Sequence, residues 1–388
     1  MKKIAEDSSR YDGFEQGPIR PPSEAASLLI RVTRNCPWNR CTFCPVFKGQ
    51  TFSLRPIDHV LKDIDTIHRF VIFIREHAGQ SGKISREDIT SLSALSEPGE
   101  RTALNAALHW AASGMCSIFL QDANSLIIKP ERLLTILGHL KDCFPWVERI
   151  TSYARSHTIA RISDTDLGLM AAAGLNRIHI GMESGSDKVL AMVSKGVDKA
   201  THIQAGLKVK KAGMELSEYV MPGLGGRALS REHALETADA LNRINPDFIR
   251  LRTLAIPNHI ELHRDISQGT FEKLNDREIT HEILLFLENL DGITSAFKSD
   301  HILNLFEDIE GVFPQDKQKM TDVARTFLAM APEEQVLYQV GRRIGRLARL
   351  SDLRDPARRA QVEATCFRLG ITTDNVDSIV DEMMKRFI

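Results

Sequence analysis

The stretch "SLLIRVTRNCPWNRCTFCPVFKG", residues 27–49, decides how this chain is read. Its first eight residues are apolar and β-branched enough to form a buried strand. Directly behind them come Cys36, Cys41 and Cys44, half of the six cysteines of a 388-residue chain. Thiolates favour soft or borderline metals such as iron and zinc. Structural zinc takes four closed ligands, and iron–sulfur clusters usually take four cysteines. Three thiols on one loop therefore leave a coordination position open. A three-cysteine iron–sulfur cluster fits that pattern. A zinc site completed by His59 or His68, and plain structural or redox thiols, are the competing readings.

Working outward, five more strand-like runs follow: "CSIFLQD" (116–122), "ERITSYA" (148–154), "RIHIGME" (177–183), "ELSEYVMPG" (215–223) and "DFIRLRTLAI" (247–256). Helix-like stretches separate them. Ser163 and Ser186 are candidate N-caps, and Gly174, Gly196 and Gly213 candidate C-caps. The first connection is the longest, with helical patterns near 56–78 and 100–113 on either side of the polar "GQSGKISRED". Alternating strands and helices predict parallel strands with right-handed crossovers. Six such units predict an α/β fold, a partial (β/α)6 TIM-like barrel, over residues 28–264. An N-terminal segment (1–27) precedes it. Five amphipathic helix patterns over 265–388 predict an all-α C-terminal extension.

Bulk properties exclude other classes. A net charge of −1 argues against a general electrostatic grip on nucleic acid. No apolar run approaches a membrane span, and the opening residues do not form a secretory signal. Six cysteines in so long a chain are not a disulfide framework. A cytoplasmic protein with reduced or metal-bound thiols is expected. Cys116, Cys143 and Cys366 are isolated, and are expected to be small buried apolar residues rather than ligands of a second cluster. No cobalamin-type domain is expected in the roughly 27 residues ahead of the first strand.

The cysteine loop, the aromatic Phe43 before its last cysteine and the six-unit pattern resemble the radical S-adenosylmethionine superfamily. The spacing here is Cys-x4-Cys-x2-Cys, one residue longer in the first gap than the usual Cys-x3-Cys-x2-Cys. The resemblance implies that the extra residue, within 37–40, loops outward. It lies closest to the branch holding oxygen-independent coproporphyrinogen oxidases, methylthiotransferases and the elongator catalytic subunit. It implies one 4Fe-4S cluster held by Cys36, Cys41 and Cys44, with S-adenosylmethionine on the open iron. It also implies a ferredoxin- or flavodoxin-like electron donor and reductive cleavage to a 5′-deoxyadenosyl radical that abstracts hydrogen from a substrate.

Residue by residue, the resemblance sets Phe43 near the adenine and Gln121, Asp122 and Asn124 near the methionine amino group. In "HIGMESGSDKVL", Glu183, with Ser184 beside it, takes the ribose hydroxyls; a carboxylate accepts both protons of a diol. Tyr153 and Arg155 end the third strand, where Arg155 meets the methionine carboxylate or a surface partner. Pro222, in "YVMPGLGG", marks close backbone approach, without phosphate-loop spacing. Arg252 and Leu254 end the sixth strand. In the tail, "FKSDHILNL" gathers Lys298, Asp300, His301 and Asn304, a substrate-facing set or a solvated face. A small-molecule substrate is expected. An RNA- or peptide-modifying enzyme is the alternative, with "GRRIGRLARL" (341–350) the one hint towards RNA, and a non-catalytic zinc-binding barrel is the other.

Overall fold

The computed structural model describes residues 10–77, 84–97 and 99–387. The polar "GQSGKISRED" therefore lies partly outside the described residues; its described end enters a helix capped by Ser85. The fold is α/β, with a mostly parallel sheet and many helices, and the chain divides into two compact units.

The first unit comprises residues 1–39, 49–180 and 208–215. Its strands are β1 (Leu28–Arg31), β2 (Thr33–Arg34), β3 (Ser53–Leu54), β4 (Ser117–Gln121), β5 (Arg149–Tyr153) and β6 (Leu175–Glu183), the last continuing into the second unit. β1 pairs parallel with β4, β4 with β5, and β5 with β6, whereas β2 and β3 form a small antiparallel pair. All five residues of β4 are buried, as parallel strands covered on both faces require. Helices α1 (Ile57–His77), α2 (Arg86–Leu95), α3 (Arg101–Ala112) and α4 (Pro130–Cys143) follow β3 and β4 in the chain. On α1, Val60, Ile64, Ile67, Val71 and Ile74 recur every three or four residues and are all buried, a continuous apolar stripe. The segment ahead of β1 is tied down in this unit. Glu15 meets Arg34 at 2.8 Å and Arg55 at 3.1 Å, and the Tyr11 hydroxyl donates to Asp63 at 2.9 Å.

The second unit comprises residues 40–48, 181–207 and 216–388. Here β7 (Glu215–Val220) pairs parallel with β8 (Phe248–Leu251), and β8 with β9 (Ala296–Lys298). β9 then pairs antiparallel with β10 (Gly311–Val312). The six expected strands are all present, and Ser163 and Ser186 cap their helices by accepting from Asp166 N–H and Val189 N–H.

The region expected to be purely helical also carries β9 and β10. These strands are three and two residues long, too short for period-two alternation to show. Helices Asp276–Asn289, Lys317–Ala329, Pro332–Arg343, Pro356–Leu369 and Val376–Met384 account for its five amphipathic patterns. "GRRIGRLARL" leaves the helix at Arg343, and Gly345 turns the chain at φ +70°. Arg342 and Arg343 are buried and donate to the carbonyls of Leu303, Asn304 and Leu305. These two guanidiniums hold an internal loop.

Candidate functional site

The cysteine loop begins in the first unit, with Cys36, and continues in the second, with Cys41 and Cys44. None of the three thiols is in a disulfide, and all three are half-buried. Asn35 and Asn39 flank Cys36 in the left-handed region, at φ +67° and +46°, a conformation that asparagine tolerates better than most residues. Asn39 thus turns the chain within the stretch expected to absorb the extra residue. The Asn35 side chain donates to the Thr51 carbonyl at 2.7 Å, and that of Asn39 to the Gln50 carbonyl at 3.1 Å.

In the second unit, Cys44 N–H donates to the Cys41 carbonyl at 3.3 Å, so these two cysteines share a tight turn. Thr42 between them anchors it, donating to Val193 at 3.0 Å and accepting from Leu262 at 3.1 Å. Phe43 is buried among Val189, Val193, Met221, Leu224 and Leu254. A cavity of about 40 Å³ is lined by Phe43, Cys44, Arg252 and Leu254, with Met221 and Leu303. Four of the predicted site residues therefore meet at one place. Backbone bonds hold this wall: Arg252 N–H donates to Val220 and Leu254 N–H to Pro222, both at 2.9 Å.

Glu183 ends β6 at φ +64°. Its carboxylate folds back over Gly181, where a Cβ would lie 2.3 Å from Glu183 Oε1 and 3.3 Å from Lys195 Nζ. Only glycine leaves that space. Lys195 Nζ reaches Glu183 Oε1 at 3.1 Å and stands 5.7 Å from the Phe43 ring centroid. Nearby, Glu218 on β7 is completely buried, and neither of its carboxyl oxygens has a hydrogen-bond partner among the described residues. Burial, reinforced by the Glu183 charge, pushes its carboxyl well above the usual range, which favours the neutral form.

Ser184 is buried, 2.8 Å from His233 Nδ1, and accepts from Ser186 N–H. It braces the turn after Glu183. Glu282 accepts from Gly223 N–H at 2.7 Å, bracing the turn after Pro222. His301 is pushed down to about 4 by burial and the Arg252 charge. The rest of that tail cluster is structural: Asp300 pairs with Arg250, Lys298 with Glu310, and Asn304 accepts from Thr253 N–H.

In the first unit, Asp122 Oδ2 accepts from Arg31 Nη2 at 2.7 Å and from Asn35 N–H at 2.9 Å. Its Oδ1 is buried without a hydrogen-bond partner among the described residues and lies against Gly17, where a Cβ would come within 1.9 Å. Gln121 binds the N-terminal segment, accepting from Gly17 N–H at 2.8 Å and donating to the Ile19 carbonyl at 2.5 Å. Asn124 accepts from Arg155 N–H and donates to Thr158. Tyr153 packs edge-on against Phe119 and tilts over His179, while the Arg155 guanidinium sits 5.0 Å from the Trp38 ring centroid.

These residues suit an iron–sulfur cluster and S-adenosylmethionine. The cysteines are unbridged thiols, and orphaned buried oxygens on Glu218 and Asp122 call for a partner. Glu218 and Lys195 were missed in the sequence. An acidic residue at mid-strand in "ELSEYV" was the available signal for the first; the second stood in "SKG", read only as a helix end.

No family model matches this chain. In sequence it is similar to the tRNA uridine(34) acetyltransferase of Methanocaldococcus infernus, 21% identical over 272 residues, covering 67% of this chain and 49% of the relative. The chain thus spans about half the length of that curated relative. Among solved structures it is similar to coproporphyrinogen III oxidase (HemN) from Escherichia coli, a radical SAM enzyme, with TM-score 0.45, 16% identity and coverage of 68% of this chain and 52% of that one. It is also similar to the radical S-adenosylmethionine methyltransferase TsrM from Kitasatospora setae, solved with cobalamin and a [4Fe-4S] cluster, with TM-score 0.43, 13% identity and coverage of 63% and 37%. Both of these solved structures are radical S-adenosylmethionine enzymes.

Proposed function

We propose that this chain is a radical S-adenosylmethionine enzyme acting on a small molecule. The observation that carries this reading is the turn of Cys41 and Cys44, two unbridged thiols around a buried Phe43 that shares a cavity with Arg252 and Leu254. Cys36, Cys41 and Cys44 are the ligands proposed for a 4Fe-4S cluster. A cluster bound there would supply one electron, received from a ferredoxin- or flavodoxin-like donor, for cleavage of S-adenosylmethionine into methionine and a 5′-deoxyadenosyl radical.

The chain's own residues bind and orient. Glu183 accepts hydrogen bonds from the ribose hydroxyls, and Lys195, 3.1 Å away, aims its carboxylate. Glu218, whose neutral form burial favours, offers a buried carboxyl with no partner of its own among the described residues, and Phe43 and Leu254 give an apolar wall that excludes water. Asp122, with Gln121, Asn124, Tyr153 and Arg155 around it, is the proposed anchor for the methionine end. The partial barrel is the architecture this reading implies, and a cytoplasmic setting suits its reduced thiols.

A second reading, modification of RNA, is favoured by one observation: the similar curated protein is a tRNA uridine acetyltransferase. The buried state of Arg342 and Arg343 weighs against the basic helix that would have supported it. Anaerobic incubation of the full-length protein with S-adenosylmethionine and a strong reductant tests the proposal. Release of 5′-deoxyadenosine, abolished by Cys41→Ala, is expected; wild-type protein with no release refutes it. Adding transfer RNA or cell metabolites separately then shows which one raises turnover.

A further inference from the structure

Away from that site, Asp65 on α1 and His139 and Cys143 on α4 bring three donor atoms within 4.8 Å of one another. All three residues belong to the first unit. His139 and Cys143 are four residues apart and share a helix face. His139 Nε2 lies 2.7 Å from Asp65 Oδ1 and 3.7 Å from Cys143 Sγ. Both contacts converge on one ring nitrogen.

We infer that Asp65, His139 and Cys143 form a zinc site that clips α1 to α4. Tetrahedral zinc with ordinary bond lengths places its nitrogen and sulfur ligands about 3.6 Å apart, and nitrogen and oxygen about 3.4 Å apart. The observed nitrogen–sulfur separation already matches. The nitrogen–oxygen gap must open by roughly 0.7 Å to reach that geometry, and the Asp65 side chain, 60% exposed, is free to swing. One thiolate and one carboxylate neutralise a divalent ion. A sulfur, an imidazole and a carboxylate select zinc over magnesium or calcium. The thiol proton leaves to solvent on binding, as does the imidazolium proton when His139 is charged. Three protein ligands leave a fourth position for water.

The plainer reading is an exposed Asp65–His139 ion pair, worth little by itself, beside a cysteine acting as a small apolar residue. The helical spacing brings His139 and Cys143 together in either reading, but only the zinc site uses all three donors at once. The site is independent of the radical chemistry proposed above.

The test is zinc competition against a chromophoric chelator, with zinc K-edge absorption, on the full-length protein and its variants. Wild type should hold one zinc ion with a single sulfur and nitrogen or oxygen neighbours, beyond any zinc on the loop of Cys36, Cys41 and Cys44. His139→Ala and Cys143→Ser should each weaken that ion at least about a hundredfold, and Asp65→Asn about tenfold. Unchanged affinity in His139→Ala or Cys143→Ser overturns the inference. Should those variants lose their helical circular dichroism, the wild-type melt decides: zinc must raise its midpoint, and a midpoint indifferent to zinc overturns the inference too.

Discussion

At the scale of single residues, Glu218 is the most informative group in the second unit. A buried carboxyl with no partner is costly, and proteins retain such groups where a ligand completes them. Its folded-state pKa is raised, so its linkage has a definite sign. Below about pH 4.5 the carboxyl is protonated both folded and unfolded, and Glu218→Gln should change stability little. Above that, only the unfolded chain releases the proton, so wild-type stability falls by about 1.4 kcal/mol per pH unit, up to the folded pKa. Denaturant melts from acid to neutral pH should show the Gln variant gaining on wild type as pH rises. Parallel curves would mean that Glu218 ionises freely in the fold.

His301 behaves in the opposite direction. With a folded pKa of about 4 it stays neutral where the unfolded imidazole takes a proton. It therefore subtracts stability as pH drops from about 6.5. Arg252→Gln removes one of the two causes, so the His301 resonance should titrate at higher pH in that variant. An unmoved titration would show that burial alone sets it.

Individual elements test how the site is held. Gly181 on β6 leaves room for the Glu183 carboxylate and Lys195. Gly181→Ala should therefore weaken S-adenosylmethionine binding by roughly tenfold or more, the loss of one charge-assisted contact, while the thermal midpoint moves little. Equal affinity by calorimetry would remove Glu183 from the site. On α1, Ile64 is fully buried, and Ile64→Ala should cost roughly 2–5 kcal/mol in a denaturant melt without altering the cysteine loop.

The elements were legible in the sequence where local signals are strong. The six β/α strands, the serine caps and the apolar stripe of α1 depend on period and propensity. β9 and β10 were not legible, because two or three residues carry no period. The end of the helix at Arg343 was hidden for a different reason: "GRRIGRLARL" keeps a helical pattern, but Arg342 and Arg343 are consumed by the carbonyls of residues 303–305. Glu218 was missed because Glu183 and Lys195, the groups that define it, approach it only in space. The same holds for the trio of Asp65, His139 and Cys143.

For the whole molecule, charge and composition excluded classes of protein, and the loop around Cys36 named a chemistry. Among the described residues no helix is long and apolar enough to cross a membrane. The proposed function rests on three cysteines holding a cluster with one iron free to take S-adenosylmethionine. Electron paramagnetic resonance of the anaerobically reconstituted, chemically reduced protein tests that claim most directly. The account predicts about four irons per chain and a reduced-cluster signal whose shape shifts when S-adenosylmethionine is added, with both lost in Cys44→Ala. A colourless protein carrying zinc on this loop, or a cluster signal indifferent to S-adenosylmethionine, would contradict it.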